Sequence, residues 1–234
     1  MIINLNDRYQ DDLDNSLAKI EGIIQDSLTG DRLTVVFLPP KHPRTHSTYF
    51  PADCISKEVK QDIKKRSGQD VLSAPLLLIR NWPRWSQVVV PLLHEYRHFW
   101  QHEQLSPGLI EESNRQKWIA RCSICATNDA FLEVPLETDA EVYAYHGMQQ
   151  FFDDWKPQRR ADVIFGITID DPFFKLGHHK LPLLDKKGLE RAIRAHSRLV
   201  AKQVPFHERH VHQATPGPLF IKPHSERLHN PAII

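Results

Sequence analysis

The segment Val88–Gln104, VVVPLLHEYRHFWQHEQ, contains two histidines and a glutamate with the spacing His94-Glu95-x-x-His98. Residues i and i+4 of an α-helix project from the same face, so the two imidazoles could bind one Zn²⁺ ion. The zinc would lower the pKa of a bound water, and Glu95 would take the proton of that water as a general base. His94 and His98 are therefore candidate zinc ligands, and Glu95 is the candidate catalytic residue.

A third protein ligand is required, because catalytic zinc usually has three and keeps a fourth position for water. The segment at residues 135–144, PLETDAEVYA, places Glu137 and Glu141 one turn apart on one helical face. A carboxylate from this second helix, with another acid one turn on to orient a ligand histidine, would complete the site. Ala140 and Ala144 are small, which would let the second helix approach the motif helix closely. Such acidic pairs also occur on solvated helices, so the pair alone does not decide its role.

Three residues of the motif helix constrain this interpretation. Arg97 occupies a position that is usually uncharged in zinc peptidases, so it must point outward or pair with an acid. His102 lies one turn beyond His98, but a straight helix rotates it away from the direction of the His94–His98 pair. Gln104 stands where a metzincin would have its third histidine, which disfavours that class of peptidase.

The HExxH pattern at residues 94–98, followed by ExDAE at residues 137–141, resembles the pattern of the gluzincin zinc metallopeptidases. The resemblance covers roughly residues 10–155, and in outline it is to the compact intracellular, phage- or mobile-element-associated members of the ImmA/IrrE type. It implies a small zincin fold, one Zn²⁺ ion and hydrolysis of peptide bonds. It also implies that Glu137 is the third ligand and Glu141 the orienting acid. Asp139 and Glu141 could exchange roles, and the choice between Glu137 and Glu141 as the ligand stays open.

Members of this family also use a tyrosine or a histidine to stabilise the oxyanion that forms at the attacked carbonyl group. Tyr143, Tyr145 and His146 lie near the glutamate pair in the sequence, and the motif does not select among them. A position in the core is the more common role for each of these side chains. Tyr143 and His146 are the candidate oxyanion stabilisers.

Hydrophobic periodicity and helix-breaking residues predict an α+β arrangement around these motifs. Apolar residues at three- and four-residue steps indicate a helix between Asp7 and Leu28. Short apolar runs indicate strands at residues 33–38, 75–79 and 163–169, and the proline-containing segment 40–56 is predicted to be a loop. Further helices are predicted at residues 58–66, 109–125, 137–155 and 186–204. The motif helix is predicted to begin near Pro91, or to bend there, and to end at about Gln104.

The charge of the chain is unevenly distributed. Residues 1–155 contain 16 Lys and Arg against 22 Asp and Glu, a net charge of −6, and residues 156–234 contain 14 against 7, a net charge of +7. We therefore predict a zincin-like domain at residues 1–155. A basic, His- and Pro-rich C-terminal extension at residues 156–234 would pack on this domain or trail from it. Such an extension could also contact nucleic acid or an acidic partner.

The remaining sequence features favour a cytoplasmic protein. No window approaches the 18 or more apolar residues of a membrane span, and the N-terminus has neither the basic flank nor the apolar run of a signal peptide. Three cysteines do not form a disulfide framework. The pair Cys122 and Cys125, His178 with His179, and the histidines of the segment 207–212 are weaker metal-binding candidates.

Zinc-dependent hydrolysis of a protein or peptide substrate is the leading hypothesis. An alternative is a nucleic-acid-binding or assembly protein in which the zincin-like core is structural, and it is motivated by the basic segment 156–234. A second alternative is a catalytically inactive zincin that regulates a partner by docking. Neither alternative requires Glu95 to act as a base.

Overall fold

The computed structural model of the chain describes residues 1–43, 46–71, 74–82, 85–122, 134–152 and 177–203. In these ranges the chain forms six α-helices and one mixed sheet of four strands, which confirms the predicted α+β class. The helices are α1 (Gln10–Ile24), α2 (Lys57–Ser67), α3 (Ser86–Gln104), α4 (Pro107–Cys122), α5 (Pro135–Phe151) and α6 (Lys186–Gln203). The strands are β1 (Ile2–Asn4), β2 (Thr34–Phe37), β3 (Thr48–Phe50) and β4 (Leu76–Ile79).

The sheet has the strand order β1-β2-β4-β3, in which β1, β2 and β4 are parallel and β3 runs antiparallel to β4 at one edge. Successive residues of a strand point to opposite faces of the sheet. On one face, Val35 and Leu77 pack in a cluster with residues of α1 and α3, and on the other face Val36 and Leu78 pack with Ile63 of α2. Because helices cover both faces, β4 is apolar throughout and β2 is apolar after Thr34, and neither strand alternates with polar residues.

Two short strands differ from the sequence-based expectation. β3 lies inside segment 40–56, so the prediction of a loop is wrong at Thr48–Phe50. β1, at Ile2–Asn4, was not predicted. Each strand has three residues and pairs with a single neighbour, which leaves too few positions for an alternating pattern to be recognised.

The helices agree more closely with the predicted segments, and their differences lie at the ends. The motif helix α3 begins at Ser86 and contains Pro91 in its interior, so a start near Pro91 is wrong, and it ends at Gln104 as predicted. α4 begins at Pro107 because a proline, which lacks an N–H and has a fixed φ, is well suited to the first turn. The strand predicted at 163–169 lies outside the described residues.

Helices α3 and α5 pack closely against each other, and small residues of α5 make this possible. Ala140 and Ala144 are fully buried, in agreement with the expectation from the sequence. Gly147 lies at the same contact: a Cβ atom added to it would lie 2.8 Å from Cδ1 of Leu93 in α3 and 3.1 Å from Cγ2 of Ile23 in α1. The absence of a side chain at Gly147 therefore permits the observed distance between these helices.

Substitution of Gly147 by alanine should destabilise the fold by about 1 kcal/mol. The added methyl group displaces the fully buried Leu93 at a cost of about 1–3 kcal/mol, from which the higher helix propensity of alanine recovers up to about 1 kcal/mol. Gly22→Ala is the matched control, because a Cβ at Gly22 in α1 meets nothing within 4 Å. That variant should be stabilised by about 1 kcal/mol in urea unfolding. Equal changes in the free energy of unfolding, with the same sign for both variants, would contradict the close packing of Gly147 against Leu93.

Residues 1–197 form one compact unit, and a second unit, residues 198–234, is described only at 198–203. Within the first unit, Leu189 and Ile193 of α6 pack in a cluster with Leu109 of α4 and Leu136 of α5. The side chain of Gln116 donates a hydrogen bond of 3.0 Å to the carbonyl oxygen of Ile193. No helix in the described part of the chain is long and apolar enough to cross a membrane.

Candidate metal centre

The motif helix α3 presents His94 and His98 to α5 from one helical face. Their ring centroids are 4.7 Å apart, and their Nε2 atoms are separated by 3.1 Å. Both side chains are largely buried, with exposed fractions of 14% and 10%. The i, i+4 spacing of the motif therefore brings the two imidazoles together in the manner that the sequence predicts.

Glu137, in the first turn of α5, reaches both imidazoles. Its Oε2 atom lies 3.5 Å from Nε2 of His94, and its Oε1 atom lies 3.4 Å from Nε2 of His98. Glu137 is 4% exposed, so its carboxylate is almost completely removed from solvent. In the described ranges, His94, His98 and Glu137 form a group whose donor atoms all lie within 4.8 Å of one another and could hold a metal ion.

The distances within this group fit a small tetrahedral cation. Zinc binds histidine nitrogen and carboxylate oxygen at about 2.0–2.2 Å, so two ligand atoms of a tetrahedral site are about 3.3–3.5 Å apart. The two Nε2 atoms are 3.1 Å apart, and each lies 3.4 or 3.5 Å from a different oxygen of Glu137, so this carboxylate reaches both nitrogens at about the required spacing. When their Nε2 atoms are deprotonated, the two imidazoles and the anionic oxygen also match the ligand preference of a borderline-soft divalent ion. The residues present therefore fit the metal that the motif implies.

The charge of Glu137 is stabilised by neighbouring cations, although burial opposes it. Burial alone would raise the pKa of Glu137, but the charges that His98 and Lys117 carry when protonated, and the hydrogen bonds that both histidines donate when Nε2 is protonated, hold it well below its ordinary value. The ammonium group of Lys117, in α4, contacts Oε1 of Glu137 directly. A buried carboxylate that stays ionised is a suitable ligand for a divalent cation.

Glu141 lies on the other side of His94, one turn after Glu137. Its Oε1 atom is 3.4 Å from Nδ1 of His94, the ring nitrogen that does not face Glu137. Burial alone would lower the pKa of His94, but the carboxylates of Glu141, Glu137 and Glu95 outweigh it and hold the pKa well above its ordinary value. The contact is an ion pair, since the geometry gives Nδ1 of His94 no hydrogen-bond partner. The role of Glu141 as the orienting acid stays a prediction.

Glu95 is held by the edge strand of the sheet. Its Oε2 atom accepts a hydrogen bond of 2.7 Å from the backbone N–H of Tyr49 in β3. The residue is 8% exposed. The bond fixes one carboxylate oxygen of Glu95, so the other oxygen remains to accept a proton.

Arg97 pairs with Asp139, which is one of the two arrangements that its position in the motif allows. Its Nε and Nη2 atoms donate to the two oxygens of Asp139 over 2.7 and 3.1 Å, and Nη2 also donates to the carbonyl oxygen of Leu184 over 2.6 Å. The guanidinium carbon stacks 3.7 Å from the ring centroid of Trp100. Both carboxylate oxygens of Asp139 thus accept hydrogen bonds from Arg97. Asp139 is not a member of the group that could hold the metal.

Removal of Arg97 should destabilise the fold strongly. In Arg97→Met, Asp139 would remain buried without its partner, which costs about 3–5 kcal/mol. The double variant Arg97→Met/Asp139→Asn should regain part of this loss, because it removes the unpaired charge. Arg32→Met is the control: Arg32 also pairs with acids, but its side chain is 62% exposed, so we expect a loss below about 1 kcal/mol. Urea unfolding measures all three, and similar losses for Arg97→Met and Arg32→Met would be inconsistent with a structural role of the buried pair.

The candidate oxyanion stabilisers Tyr143 and His146 have contacts with Arg97 and Leu181, which are not members of the metal-ligand group. Tyr143 follows Asp139 by one turn, and its ring lies 5.0 Å from the guanidinium carbon of Arg97. Nε2 of His146 contacts the carbonyl oxygen of Leu181 over 3.2 Å. The ring of Tyr145 packs with Val142 and Met148. Their role in oxyanion stabilisation stays a prediction.

His102 lies beside the group without joining it. Its ring packs against Tyr49, with centroids 4.9 Å apart. Burial, together with the nearby positive charges of His98 and Lys117, lowers the pKa of His102 to about 4. The ring is therefore neutral near pH 7, and it forms part of the wall between α3 and β3.

Three groups at the site were not identified from the sequence. These are the ammonium group of Lys117, the backbone N–H of Tyr49 and the amide of Gln101, which contacts Nδ1 of His98. A lysine and a glutamine on helices usually indicate a solvated surface, and a backbone N–H has no sequence signature. Only the helical phase of Gln101, three residues after His98, could have suggested a contact.

Among the described residues, His178 belongs to no group of three or more side chains that could hold a metal ion. The other metal-binding candidates lie wholly or partly outside the described residues. Residues 123–125 of the CxxC segment, the basic stretch 156–160 and the histidines in 207–212 lie outside the described residues. The basic segment 156–234 is described only at residues 177–203, where Arg191 and Arg194 of α6 are exposed. Contact of the segment 156–234 with nucleic acid or with an acidic partner stays a prediction.

Comparison with known proteins identifies no relative of this chain. No protein-family model, no curated protein and no solved structure matches the chain. Its function is therefore inferred from the residues and the geometry of the candidate metal centre.

Proposed function

We propose that this protein is a zinc-dependent metallopeptidase of the gluzincin type with a zincin-like fold. In this proposal His94, His98 and Glu137 hold one Zn²⁺ ion, and Glu95 is the general base. The observation that carries the proposal is the convergence of two imidazole nitrogens from α3 and a buried carboxylate from α5 at separations of 3.1–3.5 Å. Two histidines and a glutamate are the ligands of catalytic zinc in one known group of metallopeptidases.

The chain's own residues account for the proton transfers of peptide hydrolysis. When bound, zinc acts as a Lewis acid toward a water molecule and toward the carbonyl group of the substrate. Glu95 accepts a proton from the water that attacks the carbonyl carbon, and it passes this proton to the amine nitrogen as the C–N bond breaks. The N–H of Tyr49 holds one oxygen of Glu95 during both transfers. Gln101 orients His98 through its hydrogen bond with Nδ1, and the carboxylate of Glu141 attracts a proton to Nδ1 of His94.

The position of β3 supports a polypeptide substrate. Among the residues that the structure describes, β3 is an edge strand of the sheet, and the backbone N–H of Tyr49 donates to Glu95. An extended peptide that pairs with an open strand edge forms hydrogen bonds through its backbone. A peptide bound along β3 would therefore pass next to Glu95 and the metal-ligand group. We infer that the substrate is a protein or peptide in an extended conformation.

Peptide hydrolysis can be tested without knowledge of the natural target. The full chain, reconstituted with one equivalent of zinc, is incubated with a peptide library prepared from a denatured proteome, and new N-termini are identified by mass spectrometry. We expect cleavages that disappear after treatment with a zinc chelator and return when zinc is added. Absence of cleavage by the zinc-loaded protein, or cleavage that the chelator does not affect, would contradict the proposal.

A further inference from the structure

The orientation of the Gln101 amide is fixed by its neighbours. Nε2 of Gln101 donates hydrogen bonds to the carbonyl oxygen of Leu136 over 3.0 Å and to Oδ2 of Asp139 over 2.9 Å. Neither oxygen has a proton to donate, because one belongs to the backbone and the other to a carboxylate in a bidentate ion pair with Arg97. The amide oxygen Oε1 must therefore point the other way, and there it lies 2.8 Å from Nδ1 of His98.

This orientation determines which nitrogen of His98 is protonated. An amide oxygen can only accept a hydrogen bond, so Nδ1 of His98 must donate one. A neutral imidazole has one N–H, and Nε2 therefore keeps its lone pair. Nε2 is the nitrogen that lies 3.4 Å from Oε1 of Glu137. Because Gln101 is fully buried, solvent does not compete for these bonds.

We infer that Arg97, Asp139 and Gln101 form a relay that fixes the tautomer and the ring orientation of His98. Arg97 is itself held by the carbonyl oxygen of Leu184 and by the ring of Trp100, so the direction of every bond in the relay is determined. Gln101 is thus a positioning residue: it presents the lone pair of Nε2 to the metal-ligand group. The consequence for zinc binding rests on the proposed function, whereas the tautomer does not.

The tautomer can be measured in the metal-free full-length protein. Ring ¹⁵N chemical shifts distinguish a protonated nitrogen from an unprotonated one, and the signals of His98 are assigned by their loss in His98→Ala. For the neutral imidazole of His98, we expect a proton on Nδ1 and none on Nε2. Gln101→Met should shift the population toward the tautomer with the proton on Nε2. Gln101→Glu keeps an acceptor oxygen and should preserve the parent tautomer.

Zinc affinity provides the second readout. Loss of a hydrogen-bond partner of a ligand histidine weakens metal binding about 10- to 100-fold, and we expect this for Gln101→Met. Gln104→Met, three residues later in α3, is the control and should bind zinc like the parent. A parent His98 with its proton on Nε2, or a Gln101→Met variant with unchanged spectrum and affinity, would overturn the inference. If the parent has the expected tautomer but binds no zinc, the relay stands and the proposed function fails.

Discussion

Glu95→Gln should lose peptide hydrolysis by about 10²- to 10⁴-fold while it binds zinc like the parent protein. Glutamine has nearly the same shape as glutamate, and its amide oxygen can still accept the hydrogen bond from the N–H of Tyr49. It cannot accept a proton from water near neutral pH. Because Glu95 is not in the group that could hold the metal, its substitution removes the base without removing a ligand.

Two measurements on Glu95→Gln separate these effects: the cleavage rate under single-turnover conditions and the zinc content per chain. Glu103→Gln is the control, because Glu103 is an exposed carboxylate on the same helix that pairs with Arg32. We expect Glu103→Gln to keep the parent rate. Parent-like cleavage by Glu95→Gln would contradict the role of Glu95, and a loss of zinc in that variant would show that Glu95 contributes to binding.

Glu137→Gln should weaken zinc binding more than Glu141→Gln. Glu137 directs one oxygen to each histidine from a buried position, whereas Glu141 has 35% of its side chain exposed and faces Nδ1 of His94. Loss of a partner that only orients a ligand costs about 10- to 100-fold in metal affinity. Glu141→Gln should fall in this range, and Glu137→Gln should lose more than about 100-fold because a ligand is removed.

Competition with a chromogenic zinc chelator measures both affinities. Urea unfolding of the metal-free variants serves as the control that neither substitution has disrupted α5. If Glu141→Gln bound zinc more weakly than Glu137→Gln, the two acids would have exchanged roles, which is the alternative that the sequence leaves open. If both variants bound zinc as tightly as the parent protein, neither Glu137 nor Glu141 would take part in zinc binding.

The pairing of functional residues within each helix could be predicted from the sequence. His94 and His98, like Glu137 and Glu141, are four residues apart, and the helical period alone places each pair on one face. The helical period does not predict the contact between α3 and α5, because this contact joins residues far apart in the sequence, such as His98 and Glu137. The small side chains of Ala140 and Ala144 indicate that α5 can approach α3 closely. Gly147 belongs to the same contact, but its role depends on the position of Leu93, which the sequence does not indicate.

The groups that act through tertiary contacts could not be predicted in this way. Lys117 reaches Glu137 only because α4 lies beside the start of α5, and a lysine in a polar helix gives no sign of that neighbour. The contribution of Tyr49 comes from a backbone N–H on a three-residue edge strand within a proline-containing segment. Neither the tyrosine side chain nor the residue pattern of this segment indicates that the N–H of Tyr49 lies next to Glu95.

Arg97 shows how an unexpected residue can be explained by its partner. The sequence indicates that a charge at this position must pair with an acid or face solvent, but it does not identify the acid. The structure identifies Asp139, and with it the bond from Gln101 to the same carboxylate. One acid of the ExDAE segment thus serves Arg97 and Gln101, while another faces the two histidines.

Metal analysis of the purified protein tests most directly whether side chains of α3 and α5 enclose one ion. After exposure to zinc and removal of the excess, we predict about one zinc per chain in the parent protein. His94→Ala/His98→Ala, folded as judged by circular dichroism, should retain almost none. A parent that binds no zinc, or a double variant that keeps a full equivalent, would contradict the assignment of this site.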